Sequence, residues 1–264
     1  MTTFCSVYLR AVYRQNTRMN STEKEWFASW FDSPYYPMLY RHRNEQEAKE
    51  ALTNLHHQLG LPFGPMVLDL GCGQGRHSRT LSELGYNVVG IDLSHSSISY
   101  ARALAKDGQR FEVQDMRSFA VPERFDAVFN LFTSFGYFKT DDDNLKVLKQ
   151  IAVHLNKGGL LVIDYLNAFP LLDHQEQSQT IHVDHVTFRT KKIRDGNHIV
   201  KHIEVLDGEA VLHYRESVQL ITLSDFQYML QTSGFQLESV FGSYKLDEYS
   251  PAVSDRCLII ARKS

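Results

Sequence analysis

The residues with most chemistry in them fall between 69 and 116. Asp69 precedes a glycine-rich stretch, Gly71-Cys72-Gly73-Gln74-Gly75, and Asp92 and Asp115 each close a later apolar run. Small residues in such a stretch let the backbone approach a ligand closely, and a helix that starts there presents free amide N–H groups. Dinucleotide enzymes place GxGxxG at the same point of their fold, but that pattern requires a glycine at position 76. Arg76 stands there instead, and its side chain would crowd the close helix–strand packing that the third glycine serves. Cys72, inside the loop, is a candidate nucleophile by type alone, yet no histidine is spaced to activate it. Asp69 is expected to fix the loop rather than to move protons. Cys5, Cys72 and Cys257 are widely separated and show neither CxxC nor Cys/His ligand spacing, so neither a disulfide framework nor a metal site is expected.

These residues need strand ends and helix starts to position them. Met66 to Leu70, Tyr86 to Asp92, Arg110 to Asp115, Phe125 to Phe132 and Gly159 to Leu166 read as strands, and helical patterns separate them. Ser94 should cap a helix that keeps Ile98, Ala101 and Ala105 inward and runs to Gly108. Thr140 should start another, with three aspartates in its first turn, Leu145, Leu148, Ile151 and Leu155 on one face, and Lys157-Gly158-Gly159 closing it. Near-continuous apolar strands alternating with helices imply a parallel sheet covered on both faces, a doubly wound α/β fold. From about Thr180 the pattern becomes three β-rich runs joined by Asp195-Gly196 and Asp207-Gly208, an antiparallel insertion. Leu212, Tyr214, Val218 and Leu220 share one face of its third run. A helix from Thr222 to Gly234 and two more strands complete the chain.

With these elements in place, VLDLGCGQG resembles the first motif of the class I S-adenosylmethionine-dependent methyltransferases of small-molecule type. The resemblance continues through GIDLS, VQDM, FDAVFNLF and NKGGLLVIDYLN, over roughly residues 64–168 and 222–263. It implies a Rossmann-like sheet of seven strands, the last antiparallel, with the β insertion after strand 5. It implies that Asp69, Gly71, Cys72, Gly73 and Gly75 frame S-adenosyl-L-methionine. Asp92, with Leu93 beside it, is similar to the acidic residue that takes both ribose hydroxyls, a task suited to a group accepting two hydrogen bonds at once. Asp115 and Met116 match the pair that meets adenine, and Asn130 and Leu131 would line the methionine end. Asp92 and Asp115 also suit plain capping roles at their strand ends.

WFASWFDSPYYPMLYRHR, residues 26–43, resembles an N-terminal lid in which a tyrosine reaches the cofactor. Tyr35, Tyr36 and Tyr40 are the candidates for that contact, with Tyr36 also expected at the acceptor; the alternative is an amphipathic helix that packs its aromatic residues on the sheet. Phe135, Tyr137 and Phe138 follow the fourth strand, where ligands bind in open α/β sheets, and are expected in the acceptor pocket. Arg43 could hold a carboxylate, and His182, His185 and Arg189 could face a substrate, but no catalytic base is assigned. The expected organisation is a flexible extension over 1–20 (Met19 is an alternative start), a helical lid over 21–60, a core over 61–170 and 222–264, and the insertion over 171–221. The insertion would roof the substrate, contact a second copy of the chain, or do both.

The composition bounds the function classes. With 264 residues, 43% hydrophobic, 22% charged and a net charge of −3, the chain has room for one large core and lacks the basic surplus of a nucleic-acid binder. No apolar run reaches the roughly 20 residues of a membrane helix, and the N-terminus lacks the features of a signal peptide, so a cytoplasmic enzyme is expected. The expected activity is methyl transfer to an oxygen, nitrogen or carbon nucleophile of a small-molecule acceptor, in a monomer or homodimer. A non-catalytic cofactor-binding partner and a nicotinamide-dependent oxidoreductase are the competing readings.

Overall fold

The computed structural model describes residues 25–41, 45–173 and 175–264. The expected extension over 1–20, Met19, Cys5 and Arg43 lie outside the described residues. Helices α1 (Trp26–Trp30), α2 (Tyr35–Leu39) and α3 (Glu45–Leu59) lead into the alternating part of the chain. There β1 (Met66–Leu70), α4 (Arg76–Glu83), β2 (Asn87–Asp92), α5 (His95–Ala103), β3 (Gln109–Val113), β4 (Phe125–Asn130), α6 (Asp141–His154) and β5 (Leu155–Leu166) follow in order. A four-stranded sheet comes next, made of β6 (Gln177–Val183), β7 (Val186–Asp195), β8 (His198–Asp207) and β9 (Ala210–Gln219). Helix α7 (Leu223–Thr232), β10 (Phe235–Phe241) and β11 (Arg256–Lys263) return to the main sheet.

That sheet has seven strands in the order β10-β11-β5-β4-β1-β2-β3. Only β11 runs against its neighbours, pairing antiparallel with both β5 and β10. The fold is therefore the doubly wound α/β sheet with a reversed last strand. Alternation along the strands sorts the core into two layers: Leu68 and Leu70 of β1 face a cluster with Phe135 and Phe226, while Val67 faces one with Leu52 and Leu81. Asp69 shares the face of Val67 and would be an uncompensated charge there without a polar neighbour. Strand β1 pairs with β2 on one side and β4 on the other, so the chain leaves the sheet in opposite directions from its centre. Leu70, Ile91 and Asn130 end side by side at that point.

Three sequence expectations need correction. Helix α5 stops at Ala103, and Ala105 is exposed, because the Lys106–Gln109 turn has already redirected the chain. Helix α6 stops at His154, and Lys157-Gly158-Gly159 lies inside β5, where pairing to β4 shifts register between Phe125 and Ala127. The insertion has four strands, since the run 181–193 folds back at Asp184-His185. Asp184 takes a left-handed φ of 53° and Val183 pairs with Val186. Aspartate tolerates that conformation better than most residues, but without the glycine of an Asp-Gly pair the turn carries little sequence signal.

The four-stranded sheet receives the first two helices on one face. Trp30 and Leu39 bury themselves among Val183, Val186, Phe188, Ile203 and Val205. Among the described residues, no helix is long and apolar enough to cross a membrane.

Candidate functional site

The glycine loop is held from below by backbone bonds. Gly71 N–H and Cys72 N–H both donate to Ile91 O, at 2.8 and 3.0 Å, which ties the loop to the end of β2. Gly71 adopts φ 79°, and a Cβ there would lie 2.8 Å from Ser134 Cβ, so only glycine lets the loop pass the segment after β4. Asp92 sits where β2 ends. Its Oδ2 accepts from Gly73 N–H at 2.9 Å and its Oδ1 from Ser94 N–H at 2.8 Å. Burial pushes the Asp92 carboxyl above its usual value, and these amide bonds oppose the shift. The Cys72 thiol is pushed well up by burial and by nearby Asp69 and Asp92, the opposite of an activated nucleophile.

Above the loop lies a cleft of about 720 Å³. Gly71, Gly73, Asp92 and Leu93 line one side, and Asp115 and Met116 line the end beyond β3. Tyr137 and Phe138 enter from the segment after β4; Phe27, Phe31 and Tyr36 come down from the lid. Asp115 is clasped by Arg117, whose Nε and terminal nitrogen lie 2.6 to 3.1 Å from its oxygens. Burial raises the Asp115 carboxyl, and the Arg117 contacts more than offset this, leaving it below its usual value. Asn130 is fully buried and donates from Nδ2 to Leu70 O at 2.9 Å and to Ser134 O at 3.3 Å. Its Oδ1 has no partner among the described residues, an unfilled acceptor beside the loop. Leu131 borders a neighbouring hollow that shares Gly71, Gly73 and Tyr36.

These features fit the group that the sequence resemblance implies. A vicinal diol needs a fixed carboxylate such as Asp92. A planar heterocycle with an exocyclic amine needs apolar contact and an acceptor, which Met116 and Asp115 offer. An amino-acid end needs polar backbone and an acceptor, which the loop and Asn130 offer.

Some expected site residues lie elsewhere. Phe135 is 1% exposed and packs its ring 5.7 Å from that of Phe226 in the core, so it does not reach the cleft. Tyr35 turns its hydroxyl to Asp207 Oδ2 at 2.9 Å, on the four-stranded sheet, and not to the loop. Tyr40 donates to Glu216 at 2.7 Å and borders the hollow beside Gly71. Of the three candidate tyrosines, Tyr36 is the one that lines the cleft itself. Arg189 forms an exposed pair with Glu204, and His185 lies 3.3 Å from Asp207.

Sequence reasoning missed the residues that dock the lid. Asp32 accepts from Ser94 Oγ and Ser96 N–H, both at 2.9 Å, at the start of α5. The Ser96 amide and the two serine hydroxyls hold the Asp32 carboxyl below its usual value. Glu25 accepts two bonds from Arg117 at 2.8 Å, so the guanidinium that orders Asp115 also ties down the lid. Partners 62 and 92 residues apart leave no spacing to read.

Asp69 is fully buried and accepts from Ser78 Oγ at 2.6 Å, joining β1 to α4. Burial raises its carboxyl from 3.8 to about 6, against the Ser78 bonds and with help from Asp92. A raised folded-state value means the charged form costs stability. The cost is absent below the unfolded value of 3.8, grows as pH rises toward 6, and is complete above 6. Asp69→Asn keeps an acceptor for Ser78 and removes the charge, so it is expected to stabilise the protein by about 1 kcal/mol at pH 8 and by nothing at pH 4. Urea unfolding at both pH values measures the difference; an equal effect at the two would refute it.

The methyltransferase-domain family model matches residues 67–159. YqeM of Bacillus subtilis (strain 168), provisionally named a methyltransferase, is 30% identical over 78% of this chain and 87% of its own length. A dTDP-3-amino-3,4,6-trideoxy-alpha-D-glucopyranose N,N-dimethyltransferase of Streptomyces venezuelae is 28% identical over 78% of this chain and 91% of its length. The crystal structure of an S-adenosylmethionine-dependent methyltransferase from Clostridium acetobutylicum ATCC 824 matches the fold with a TM-score of 0.74 at 19% identity, covering 87% of this chain and 96% of that one.

Proposed function

This chain belongs to the S-adenosylmethionine-dependent methyltransferases, and we propose that it methylates an oxygen, nitrogen or carbon nucleophile of a small-molecule acceptor in the cleft between its glycine loop and its lid. The observation that carries the placement is Asp92, fixed by two backbone amides at the end of β2 with the 720 Å³ cleft directly above it. When bound, S-adenosylmethionine supplies a methyl group already activated as an electrophile on a sulfonium. Asp92 would hold the ribose, Asp115 and Met116 the adenine, and the loop with Asn130 the amino-acid end.

The chain's own contribution is alignment and exclusion of water, which can supply several kcal/mol without a proton transfer. Asp92 and Asp115 are already committed to amides and to Arg117, so neither is assigned as a general base. The lid aromatic residues Phe27, Phe31 and Tyr36 close the cleft, and faces of this kind favour a sulfonium by roughly 0.5–2 kcal/mol. Small acceptors are supported by the dTDP-amino-sugar relative. A reducing cytoplasm is supported by the free thiols of Cys72 and Cys257.

Calorimetric titration with S-adenosylhomocysteine, with NADH as the control, tests the reading. Micromolar binding of the first alone is expected. Binding of NADH alone, or of neither, would overturn the site assignment.

A further inference from the structure

Next to the cofactor cleft is a second cavity of about 850 Å³, roofed by the lid and walled by the inner face of the four-stranded sheet. Phe31, Tyr36 and Tyr137 line both spaces, so these aromatic side chains stand between the two. Four charged side chains face the second cavity: Lys192, Lys201, Glu216 and Arg256. Three of them have assigned work. Glu216 accepts from Trp30 Nε1 and Tyr40 Oη, both at 2.7 Å. Lys201 donates to Tyr40 Oη at 3.0 Å and lies 4.0 Å from Glu216. Arg256 pairs with the buried Asp164.

The Lys192 ammonium has no hydrogen-bond or ion-pair partner among the described residues. It stands directly opposite Lys201 in the β7–β8 register, and Lys201 stands opposite Glu216 in β8–β9. The row across the inner face is therefore Lys-Lys-Glu, with the only acid already taken by the lid. Like charges directly opposite each other on a sheet repel, and half-burial deprives them of water. Burial and the neighbouring Lys201 accordingly push the Lys192 ammonium below its usual value. A like-charged pair turned into a cavity beside a group-transfer cleft, with no acid on Lys192 among the described residues, suits an anion that would bridge the two ammonium groups.

We infer that the methyl acceptor carries an oxyanion, a carboxylate or a phosphate, that sits between Lys192 and Lys201 while the body of the molecule reaches past Tyr36 and Tyr137 toward the cofactor cleft. The inference rests on the methyltransferase reading of that cleft. It makes Lys192 a specificity residue and the insertion the part of the chain that selects the acceptor.

The test is calorimetry at low salt on protein saturated with S-adenosylhomocysteine, with benzoate, phenyl phosphate and neutral benzamide as probes. At least one anion is expected to bind about tenfold more tightly than benzamide, the worth of one charge-assisted contact. Which anion prevails separates carboxylate from phosphate. Lys192→Met should remove that preference and leave S-adenosylhomocysteine affinity unchanged, while Lys192→Arg should keep the preference. Failure of S-adenosylhomocysteine to bind wild-type protein would fault the cofactor reading instead. Normal S-adenosylhomocysteine binding with no anion preference, or with a preference that survives Lys192→Met, would overturn the anion seat.

Discussion

Asp92→Ala should weaken S-adenosylhomocysteine binding about thirtyfold or more, which corresponds to roughly 2 kcal/mol. The carboxylate is the acceptor proposed for the ribose hydroxyls, and alanine leaves those hydroxyls facing apolar surface. Two amides also lose their acceptor, since Gly73 N–H and Ser94 N–H both point at Asp92. The loop therefore loses its clasp as well as its ligand contact. Stability should change less than affinity, because removing a carboxylate that burial disfavours returns part of what the amide bonds lose. Titration of the variant, with circular dichroism to verify its fold, reads both effects. Unchanged affinity in a folded variant would remove Asp92 from the site.

Arg256→Met should destabilise the protein by about 3 kcal/mol or more, since it strands a buried carboxylate. Asp164 is fully buried in β5 and accepts from Arg256 Nε at 2.7 Å, Tyr244 Oη at 2.7 Å and Phe132 N–H at 2.8 Å. Its own carbonyl takes Thr133 N–H at 2.9 Å, and Arg256 also reaches Thr133 Oγ1 at 3.0 Å. These bonds hold Phe132 and Thr133 at φ 60° and 62°, left-handed values that cost about 1–2 kcal/mol each for such residues. The backbone that leads from β4 to Tyr137 and Phe138 is thus bent by Asp164 and kept bent by Arg256. A fall in the urea midpoint checks the cost. Adding Asp164→Asn should restore part of it by removing the stranded charge; no rescue would mean that Arg256 acts by packing alone.

How far the site could be read in advance follows from the range of the interactions. The glycine loop, Asp92 and Asp115 were legible as strand-end positions because strand ends and helix starts write short, local patterns, while their grouping with Met116 around one ligand came from the family resemblance. Thr140 and Thr222 were legible as helix starts for the same reason, and in the structure both act as caps, accepting from the third amide of their helices. Of three neighbouring aromatic residues after β4, Phe135 faces the core while Tyr137 and Phe138 face the cleft. Gly136, at φ 74°, turns the chain between them, and a Cβ there would collide with Tyr165 Oη. A composition of aromatic residues does not reveal that twist. Tyr35 and Tyr36, at the start of a five-residue helix, and Tyr40, just past its end, divide their duties in the same way, by the direction each leaves that helix. The cross-strand row of Lys192, Lys201 and Glu216 becomes visible only after the register of three strands is known.

The lid is fastened at both ends to different parts of the chain. Glu25 and Asp32 grip the seven-stranded part of the chain through Arg117 and Ser94, whereas Trp30, Tyr35 and Tyr40 grip the four-stranded sheet. The first two helices and the four-stranded sheet therefore form one packed unit despite the distance between them in sequence. A chimera that takes the insertion of a relative without its matching lid would leave Trp30 without its acceptor and Glu216 without two donors. Transplanting acceptor preference between such enzymes should succeed when both segments travel together, and fail in folding before it fails in chemistry when either travels alone.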